Sequence, residues 1–98
     1  MYIDDCLHGI LAIMDSDIRQ PINLDSRGLV SINHLVDIVE EIASVRLVRG
    51  HDLDAPKGVH GRNSDNALIR HFLGWEPLTP LVVGMRETYD WIVAVMAP

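Results

Sequence analysis

Residues 58–66 read Gly58-Val59-His60-Gly61-Arg62-Asn63-Ser64-Asp65-Asn66, and the rest of the chain is arranged around the helix that they open. Glycine adopts backbone conformations closed to other residues, so Gly58 and Gly61 predict a turn that wraps closely around a small ligand. Arg62 adds a planar fork of donors that matches carboxylate or phosphate oxygens in pairs. The stretch therefore predicts an anion site. The alternative is that Arg62 is an ordinary solvated loop arginine.

A helix is predicted directly after this turn. Asp65 is a good N-cap, apolar residues follow at helical spacing up to Leu73, and Gly74 is a typical helix stop. The free N–H groups at a helix N-terminus attract anions. Asn63 and Ser64 are therefore candidate ligand-binding residues beside the arginine.

Three more helices are predicted from apolar residues spaced along one face. One is capped by Asp4 or Asp5 and runs to Met14, and the next is capped by Ser31. The last is capped by Thr79 and has a proline at its first position, where a missing N–H costs nothing. Its buried stripe is expected to contain Leu81, Met85, Tyr89, Ile92 and Met96.

Short strands are predicted at residues 2–3, 22–24 and 45–48. A strand, a helix and a second strand in this order suggest a parallel crossover unit. The sequence therefore predicts an α/β protein with about four helices and two to three short strands, as one domain over residues 1–98. The loop over residues 50–61 is long for so small a domain, and loops of that length are usually functional or disordered.

Charge and composition exclude several classes of protein. The net charge of -6 argues against a nucleic-acid surface, including a helix-turn-helix DNA binder, because phosphate backbones are bound by an excess of lysine and arginine. Within residues 46–70, however, five basic residues outnumber three acidic ones, which suits a small anionic ligand. No apolar run approaches the roughly 20 residues that cross a bilayer, so no membrane partner is expected. The single cysteine, Cys6, forms no internal disulfide, and a cytoplasmic setting is expected.

The sequence lacks several motifs that carry chemistry. The five histidines have no paired spacing with each other or with Cys6 of the kind that zinc sites use, so no metal site is expected. No Gly-x-Gly-x-x-Gly turn follows a strand, and no tyrosine has a lysine four residues later. We therefore assign no catalytic residue and no dinucleotide-binding fingerprint to the chain.

Six runs of sequence occur in a recognisable order and spacing. They are Tyr2 to Cys6, Pro21 to Leu24, Val30 to Asn33, Gly58 to Asn66, Leu73 to Pro77 and Gly84 to Trp91. Together they resemble the C-terminal third of the NAD-dependent sugar-nucleotide epimerases and dehydratases, the extended short-chain dehydrogenase family. The run from Gly61 to Asn66 is the narrowest signal and resembles a branch that acts on GDP-mannose.

The resemblance implies a helix-rich substrate-binding part without the Rossmann core. In the family an N-terminal domain holds NAD and carries Tyr-x-x-x-Lys, while the C-terminal part closes over the sugar nucleotide, and an arginine at the position of Arg62 contacts its diphosphate. His60 stands where the family usually has another arginine, and Asp25 replaces a glycine; both changes weaken anion binding. The candidate substrate-binding residues are therefore Arg62, which the resemblance implies, together with its neighbours Asn63, Ser64 and His60.

Three functional hypotheses follow. In the first, the chain is the portion of an epimerase that binds a GDP-mannose-like sugar nucleotide. It is then inactive alone, because the NAD domain and the Tyr-x-x-x-Lys are absent, and NAD is expected only in a full-length relative or a separate NAD-binding chain. In the second, it is a stand-alone binding module that forms a homo-oligomer, since strand edges at residues 2–3 and 22–24 pair readily with partners. The third is a gene fragment without a function.

Overall fold

The computed structural model describes residues 1–97, and in this part of the chain four α-helices are joined by turns and irregular segments. Their bounds are Ile3–Met14 for α1, Ile32–Ala43 for α2, Ala67–Leu73 for α3 and Leu81–Met96 for α4. The four helices predicted from the spacing of apolar residues are confirmed. Their observed ends differ from the predicted ends by only one or two residues.

Local chemistry explains most of the helix ends. Ser31 is the N-cap of α2, where its Oγ accepts a hydrogen bond from the His34 N–H at 3.0 Å. Gly74 ends α3 in the left-handed conformation, with φ at 62°, as glycine does without a steric cost. Asp65 accepts a hydrogen bond from the Ala67 N–H at 3.0 Å, so it satisfies the first turn of α3 from one residue before the N-cap.

The predicted cap of the last helix is wrong. α4 follows Pro80 and has no side-chain cap. The Thr79 backbone N–H donates instead to Asp5 Oδ2 at 3.0 Å, which ties the start of α4 to the first turn of α1. Asp5 therefore makes a tertiary contact rather than a cap.

No strand forms within residues 1–97, so the α/β class predicted from the sequence is not confirmed. Tyr2 is the N-cap of α1 and the next residue is already helical. Segments 22–24 and 45–48 carry no regular secondary structure. A strand needs a neighbour to satisfy its backbone, and short strands without one are unstable in water. The apolar pattern shows that a segment suits a strand, but it does not show that a partner lies beside it.

The helices contact one another through a few specific points. α2 packs against α4. The Tyr2 ring lies against Gly84 of α4, so closely that a Cβ there would stand 3.2 Å from the tyrosine. This partial burial, reinforced by the neighbouring Asp4 and Glu87 carboxylates, raises the pKa of Tyr2 above its ordinary value. The His8 ring lies 4.5 Å from the Trp75 ring, between α1 and the segment that follows α3.

The apolar core is small. Ile38 and Ile69 are the buried large hydrophobic residues of the described chain. The accessible surface is 8065 Å², against about 5,600 Å² for a compact chain of this mass. The radius of gyration is 16.7 Å, against about 13 Å for a compact chain of this length. The four helices thus touch one another at a few points, and large parts of their apolar faces are exposed.

The stripe predicted to be buried on α4 is only partly covered. Met85 and Tyr89 are half-buried, whereas Ile92 is 42% exposed and Met96 is 78% exposed. Trp91, on the same helix, is 65% exposed. The spacing of apolar residues correctly identified a helix with an apolar face, but that face has no cover within residues 1–97.

The irregular segment after α2 is fixed by one arginine. Arg49 donates to Asp37 and Glu40 on α2 and to the Asn33 carbonyl oxygen at its start. Hydrogen bonds to the Asp37 carboxylate raise the pKa of Arg49 above its ordinary value, and Glu40 adds to the effect. The arginine therefore stays charged and anchors the beginning of the 50–61 loop.

Candidate functional site

A shallow depression of about 170 Å³ lies between two segments that are far apart in sequence. One wall consists of residues 23–25, and the other consists of residues 62–64. Its lining is mostly polar, and its residues are Asn23, Leu24, Asp25, Arg62, Asn63 and Ser64. The structure thus brings three of the four candidate binding residues to one place.

Arg62 is exposed at the edge of this depression. None of the ion pairs within residues 1–97 involves it, so its guanidinium is available to an anion. An arginine neutralised by an internal carboxylate would have been a poor anion ligand, because its donors would already be used. The arrangement is therefore compatible with binding of a phosphate or carboxylate group.

The two neighbours of Arg62 have different roles. Ser64 Oγ donates its hydrogen bond to Asn66 Oδ1 at 2.6 Å, so its only proton is already used and its oxygen remains an acceptor. The side-chain amide of Asn63 donates to the Arg27 carbonyl oxygen at 3.3 Å, and its second N–H remains for a ligand. Arg62 and Asn63 are hence the hydrogen-bond donors that this wall offers to a ligand, and Ser64 connects the wall to Asn66.

His60, the fourth candidate, is exposed and does not line the depression. It lies two residues before Arg62, in the long loop whose residues 50–61 are almost all exposed. The proximity in sequence that suggested His60 is therefore not matched by a shared surface. Its role in binding stays a prediction.

Asp25 carries the negative charge of the opposite wall. Its Oδ1 accepts a hydrogen bond from the Ser26 N–H at 2.7 Å, and its side chain is 49% exposed. A carboxylate in the same depression as Arg62 lowers the attraction of the depression for an anion. The Met1 ammonium group lies 3.8 Å from Asp25 Oδ1 and partly offsets this charge, so the Arg62 guanidinium, unpaired within residues 1–97, faces a partly neutralised carboxylate.

Beneath the depression lies a carboxylate, Glu76, whose side chain is only 7% exposed. Its Oε1 accepts a hydrogen bond from Arg27 Nη2 at 2.8 Å and lies 3.8 Å from Arg70 Nε. Its Oε2 accepts from Asn66 Nδ2 at 3.0 Å. A buried carboxylate is stable only when paired and hydrogen-bonded in this way.

Asn66 is the second buried polar residue, 1% exposed, and it joins Glu76 to both walls. Its Nδ2 donates to Glu76 and also to the Asp25 carbonyl oxygen at 2.8 Å, while its Oδ1 accepts from Ser64. No buried side-chain nitrogen or oxygen within residues 1–97 lacks a partner. We call the side chains of Arg27, Ser64, Asn66, Arg70 and Glu76 the Glu76 cluster.

Sequence reasoning missed the Glu76 cluster. A charged residue between the apolar residues Trp75 and Pro77, directly after a helix stop, is a signal in the sequence that could have indicated burial. Asn66, at the end of residues 58–66, is predicted from the sequence only as part of the helix start. Its partners lie 41 and 10 residues away, and no local pattern gives such pairings.

A second, wider depression of about 360 Å³ lies beside residues 17–20 and Phe72. None of the four candidate residues lines it. Its walls are loop residues and one half-exposed aromatic ring, without a buried polar group. We therefore place the candidate site at the smaller depression.

Two further surveys concern metals and membranes. In the part of the chain that the structure describes, no three His, Cys, Asp or Glu side chains come close enough together to hold a metal ion. None of the helices there has the length and apolar character needed to cross a bilayer.

Comparison with known proteins gives close relatives but no matching family model. The chain is 43% identical over 91 residues to GDP-mannose 3,5-epimerase 1 of Oryza sativa subsp. indica and to GDP-mannose 3,5-epimerase of Arabidopsis thaliana. Each match covers 93% of this chain and 24% of the relative. The chain is also 29% identical over 94 residues to "Probable GDP-L-fucose synthase 1" of Oryza sativa subsp. japonica, across 95% of this chain and 28% of that protein. It thus spans about a quarter of the length of these relatives.

Proposed function

The chain is homologous to the C-terminal part of the extended short-chain dehydrogenases that act on sugar nucleotides, and we propose that it forms the sugar-nucleotide-binding portion of such an enzyme. The identity of 43% to GDP-mannose 3,5-epimerases, against 29% to the fucose synthase relative, favours a GDP-mannose-like ligand. The observation that carries the proposal is the free guanidinium of Arg62 at the edge of a polar depression.

The chemistry of the depression suits a diphosphate. Arg62 offers paired donors to two phosphate oxygens, and the remaining Asn63 N–H adds a third donor beside it. Asp25 opposes a fully charged group but accepts hydrogen bonds from hydroxyl groups, which a sugar or ribose supplies. A nucleotide-linked sugar presents both kinds of group, and inorganic phosphate presents only the first.

We test the anion contact with Arg62→Ala. Loss of a hydrogen bond to a charged group costs about 1.5 to 3 kcal/mol, so the dissociation constant for GDP should rise by about ten- to a hundredfold or more. Isothermal titration calorimetry with GDP and with GDP-mannose measures it. Asp25→Asn should act in the opposite direction, because it removes the opposing charge.

Arg86→Ala is the matched control. Arg86 is exposed on α4, away from the residues that line the depression, and it takes part in none of the ion pairs within residues 1–97. It changes the net charge by the same amount without touching the site. Equal affinities for GDP in wild type and Arg62→Ala, or equal losses in Arg62→Ala and Arg86→Ala, would remove Arg62 from the site.

We propose that these 98 residues do not carry the catalytic step. They contain no Tyr-x-x-x-Lys, and the described part offers no strand followed by a glycine-rich turn and helix that would fit NAD. The residues present therefore do not suit the dinucleotide, and we assign them no step that involves it. We expect no turnover of GDP-mannose by the purified chain with NAD. We expect turnover after addition of an epimerase NAD-binding domain; activity without that domain would contradict the assignment.

A second candidate function is a stand-alone binding module that assembles with itself. The observation in its favour is the exposed apolar surface of α1 and α4, including Leu11 at 64% and Trp91 at 65% exposure. A separate NAD-binding chain or a second copy would each cover such a surface. Sedimentation equilibrium separates these readings, since a homo-oligomer forms without any added chain. The cytoplasmic setting expected from the sequence stays a prediction.

A further inference from the structure

We propose that Asn66 and Glu76 are positioning residues of the anion site: they hold the two walls of the depression in register so that Arg62 meets the ligand. This inference rests on the proposed function. Neither side chain lines the depression, and both lie beneath it, so they act through other residues.

The first argument is the orientation of the Asn66 amide. Its Nδ2 lies within hydrogen-bond distance of two acceptors, the Asp25 carbonyl oxygen and Glu76 Oε2. Its Oδ1 lies 2.6 Å from the hydroxyl of Ser64, a donor. A flipped amide would oppose an oxygen to both acceptors, so only one orientation satisfies the cluster. The amide thus ties one wall, at Asp25, to the other wall, at Ser64.

The second argument concerns the charge of Glu76. The carboxylate is the only group of the cluster that can accept from Asn66 and pair with Arg27 and Arg70 at the same time. Arg27 is held there by one guanidinium nitrogen, and its backbone carbonyl oxygen receives the Asn63 side chain. Glu76 therefore fixes both partners of the 62–64 wall, Asn66 through its amide and Arg27 through its guanidinium.

A neutral isostere cannot replace this carboxylate. In Glu76→Gln one oxygen becomes an NH2 group, which must oppose either Asn66 Nδ2 or Arg27 Nη2, both of which are donors. One hydrogen bond is lost in either orientation, and a buried donor is left unpaired where the NH2 group faces Asn66. Release of Asn66 frees Ser64, and release of Arg27 loosens the backbone to which Asn63 donates. Both changes act on the residues directly after Arg62.

The test is a double-mutant cycle read by GDP affinity. We expect Glu76→Gln to raise the dissociation constant for GDP by about tenfold in the wild-type background. In the Arg62→Ala background the same change should have an effect below about twofold, because the contact that it positions is already gone. Equal losses on both backgrounds, or no loss in either, would overturn the positioning role.

Glu41→Gln is the control for charge. Glu41 is exposed on α2 and contributes to none of the ion pairs within residues 1–97. Its replacement makes the same change in net charge and should leave GDP affinity unaltered. GDP titrations are run without denaturant, under conditions in which all variants have the same far-ultraviolet circular dichroism spectrum. Unfolding then does not imitate a loss of affinity.

A ligand-free measurement separates this inference from the proposed function. We expect the side-chain amide hydrogens of Asn66, which donate to the Asp25 carbonyl oxygen and to Glu76, to exchange about tenfold faster in Glu76→Gln than in Glu41→Gln. If wild type binds no GDP, the proposed function fails, and with it the anion contact. The hydrogen exchange result still decides whether the cluster holds the two walls together: unchanged exchange of the Asn66 side-chain amide overturns the inference by itself.

Discussion

The depression and the outer helix faces of this protein are built in opposite ways. Beneath the depression, polar side chains are buried and fully paired, with Asn66 at 1% and Glu76 at 6% exposure. On the outer faces of α1 and α4, large apolar side chains such as Met14 and Met96 are 75% and 78% exposed. Soluble domains usually show the reverse distribution.

The contrast shows where each region obtains its order. Around the depression, order comes from specific hydrogen bonds between sequence-distant segments, and it is complete within residues 1–97. On the outer faces, the exposure of apolar side chains to water is unfavourable, so their burial against another surface would be favourable. A site can therefore be locally complete in a chain whose core is not.

The variant with the largest expected loss of stability is Asn66→Asp. The new carboxyl group, if ionised, would oppose the Glu76 carboxylate and supply no donor to the Asp25 carbonyl oxygen. A buried charge without a partner costs about 3–5 kcal/mol, which is a large part of the about 5–15 kcal/mol that stabilises a typical domain. We expect urea unfolding at pH 7 to show a loss of that size.

The pH dependence of this variant gives a second readout. Burial and the neighbouring carboxylate favour the protonated form of the new group, which can donate one hydrogen bond to Glu76. The free energy of unfolding of the variant, relative to wild type, should therefore rise as the pH is lowered from 7 towards 5. Asn23→Asp, at an exposed position of the same depression, is the control and should change stability by less than about 0.5 kcal/mol. Similar losses in the two variants would mean that the Glu76 cluster does not carry the order of the site.

The second test compares two large apolar residues. Ile69 is fully buried, so Ile69→Ala should destabilise the chain by about 2–5 kcal/mol. Trp91 is 65% exposed, and Trp91→Gln should change the free energy of unfolding of the purified chain by less than about 0.5 kcal/mol. Both values come from urea unfolding at low protein concentration. A loss above 2 kcal/mol for Trp91→Gln would show that the outer face of α4 is already covered, by a second copy or by the chain itself.

The smallest changes in stability are expected from alanine substitutions at two helical glycines that have different neighbours. A Cβ at Gly9 would lie 2.4 Å from Leu24 Cδ1, whereas a Cβ at Gly84 would lie 3.2 Å from Tyr2. Alanine gains about 1 kcal/mol over glycine inside a helix, and overpacking costs about 1–3 kcal/mol. Gly9→Ala should therefore destabilise by about 1 kcal/mol, and Gly84→Ala should change stability by less than about 0.5 kcal/mol.

Leu24 connects this third test to the site. It lines the depression, so its displacement by Gly9→Ala should also weaken GDP binding, whereas Gly84→Ala should not. Thermal unfolding and calorimetry measure the two effects on the same samples. If Gly84→Ala lost more stability and GDP affinity than Gly9→Ala, Leu24 would rearrange at no cost and residues 23–25 would be flexible.

The sequence predicts the helices of this fold well and its tertiary pairings poorly. The N-cap at Ser31 and the stop at Gly74 are local features, and both are confirmed. The strands at residues 22–24 and 45–48 depend on a neighbour that the sequence does not show, and they are absent from the described part of the chain. The prediction of a buried stripe on α4 was only partly correct for the same reason. An apolar stripe predicts that a helix face will be covered, but it does not identify the residues that cover it.

The candidate site follows the same division. Arg62, Asn63 and Ser64 were predicted from one continuous stretch, and the structure places all three on one wall. The opposite wall and the Glu76 cluster depend on hydrogen-bonded pairs such as Arg27 and Glu76, 49 positions apart, which only the folded chain brings together. His60 was included because it is near in sequence, and it does not line the same depression.

The position of Glu76 in the chain sets the order in which the site is made during synthesis. Arg27 leaves the ribosome 49 residues before its carboxylate partner, and Asn66 leaves 10 residues before it. At about 5–20 residues per second, the Arg62 loop is outside for a second or so before Glu76 can hold Arg27 and Asn66. A nascent chain arrested before residue 76 would therefore carry the whole stretch that we propose to contact the nucleotide, without the carboxylate that completes the Glu76 cluster.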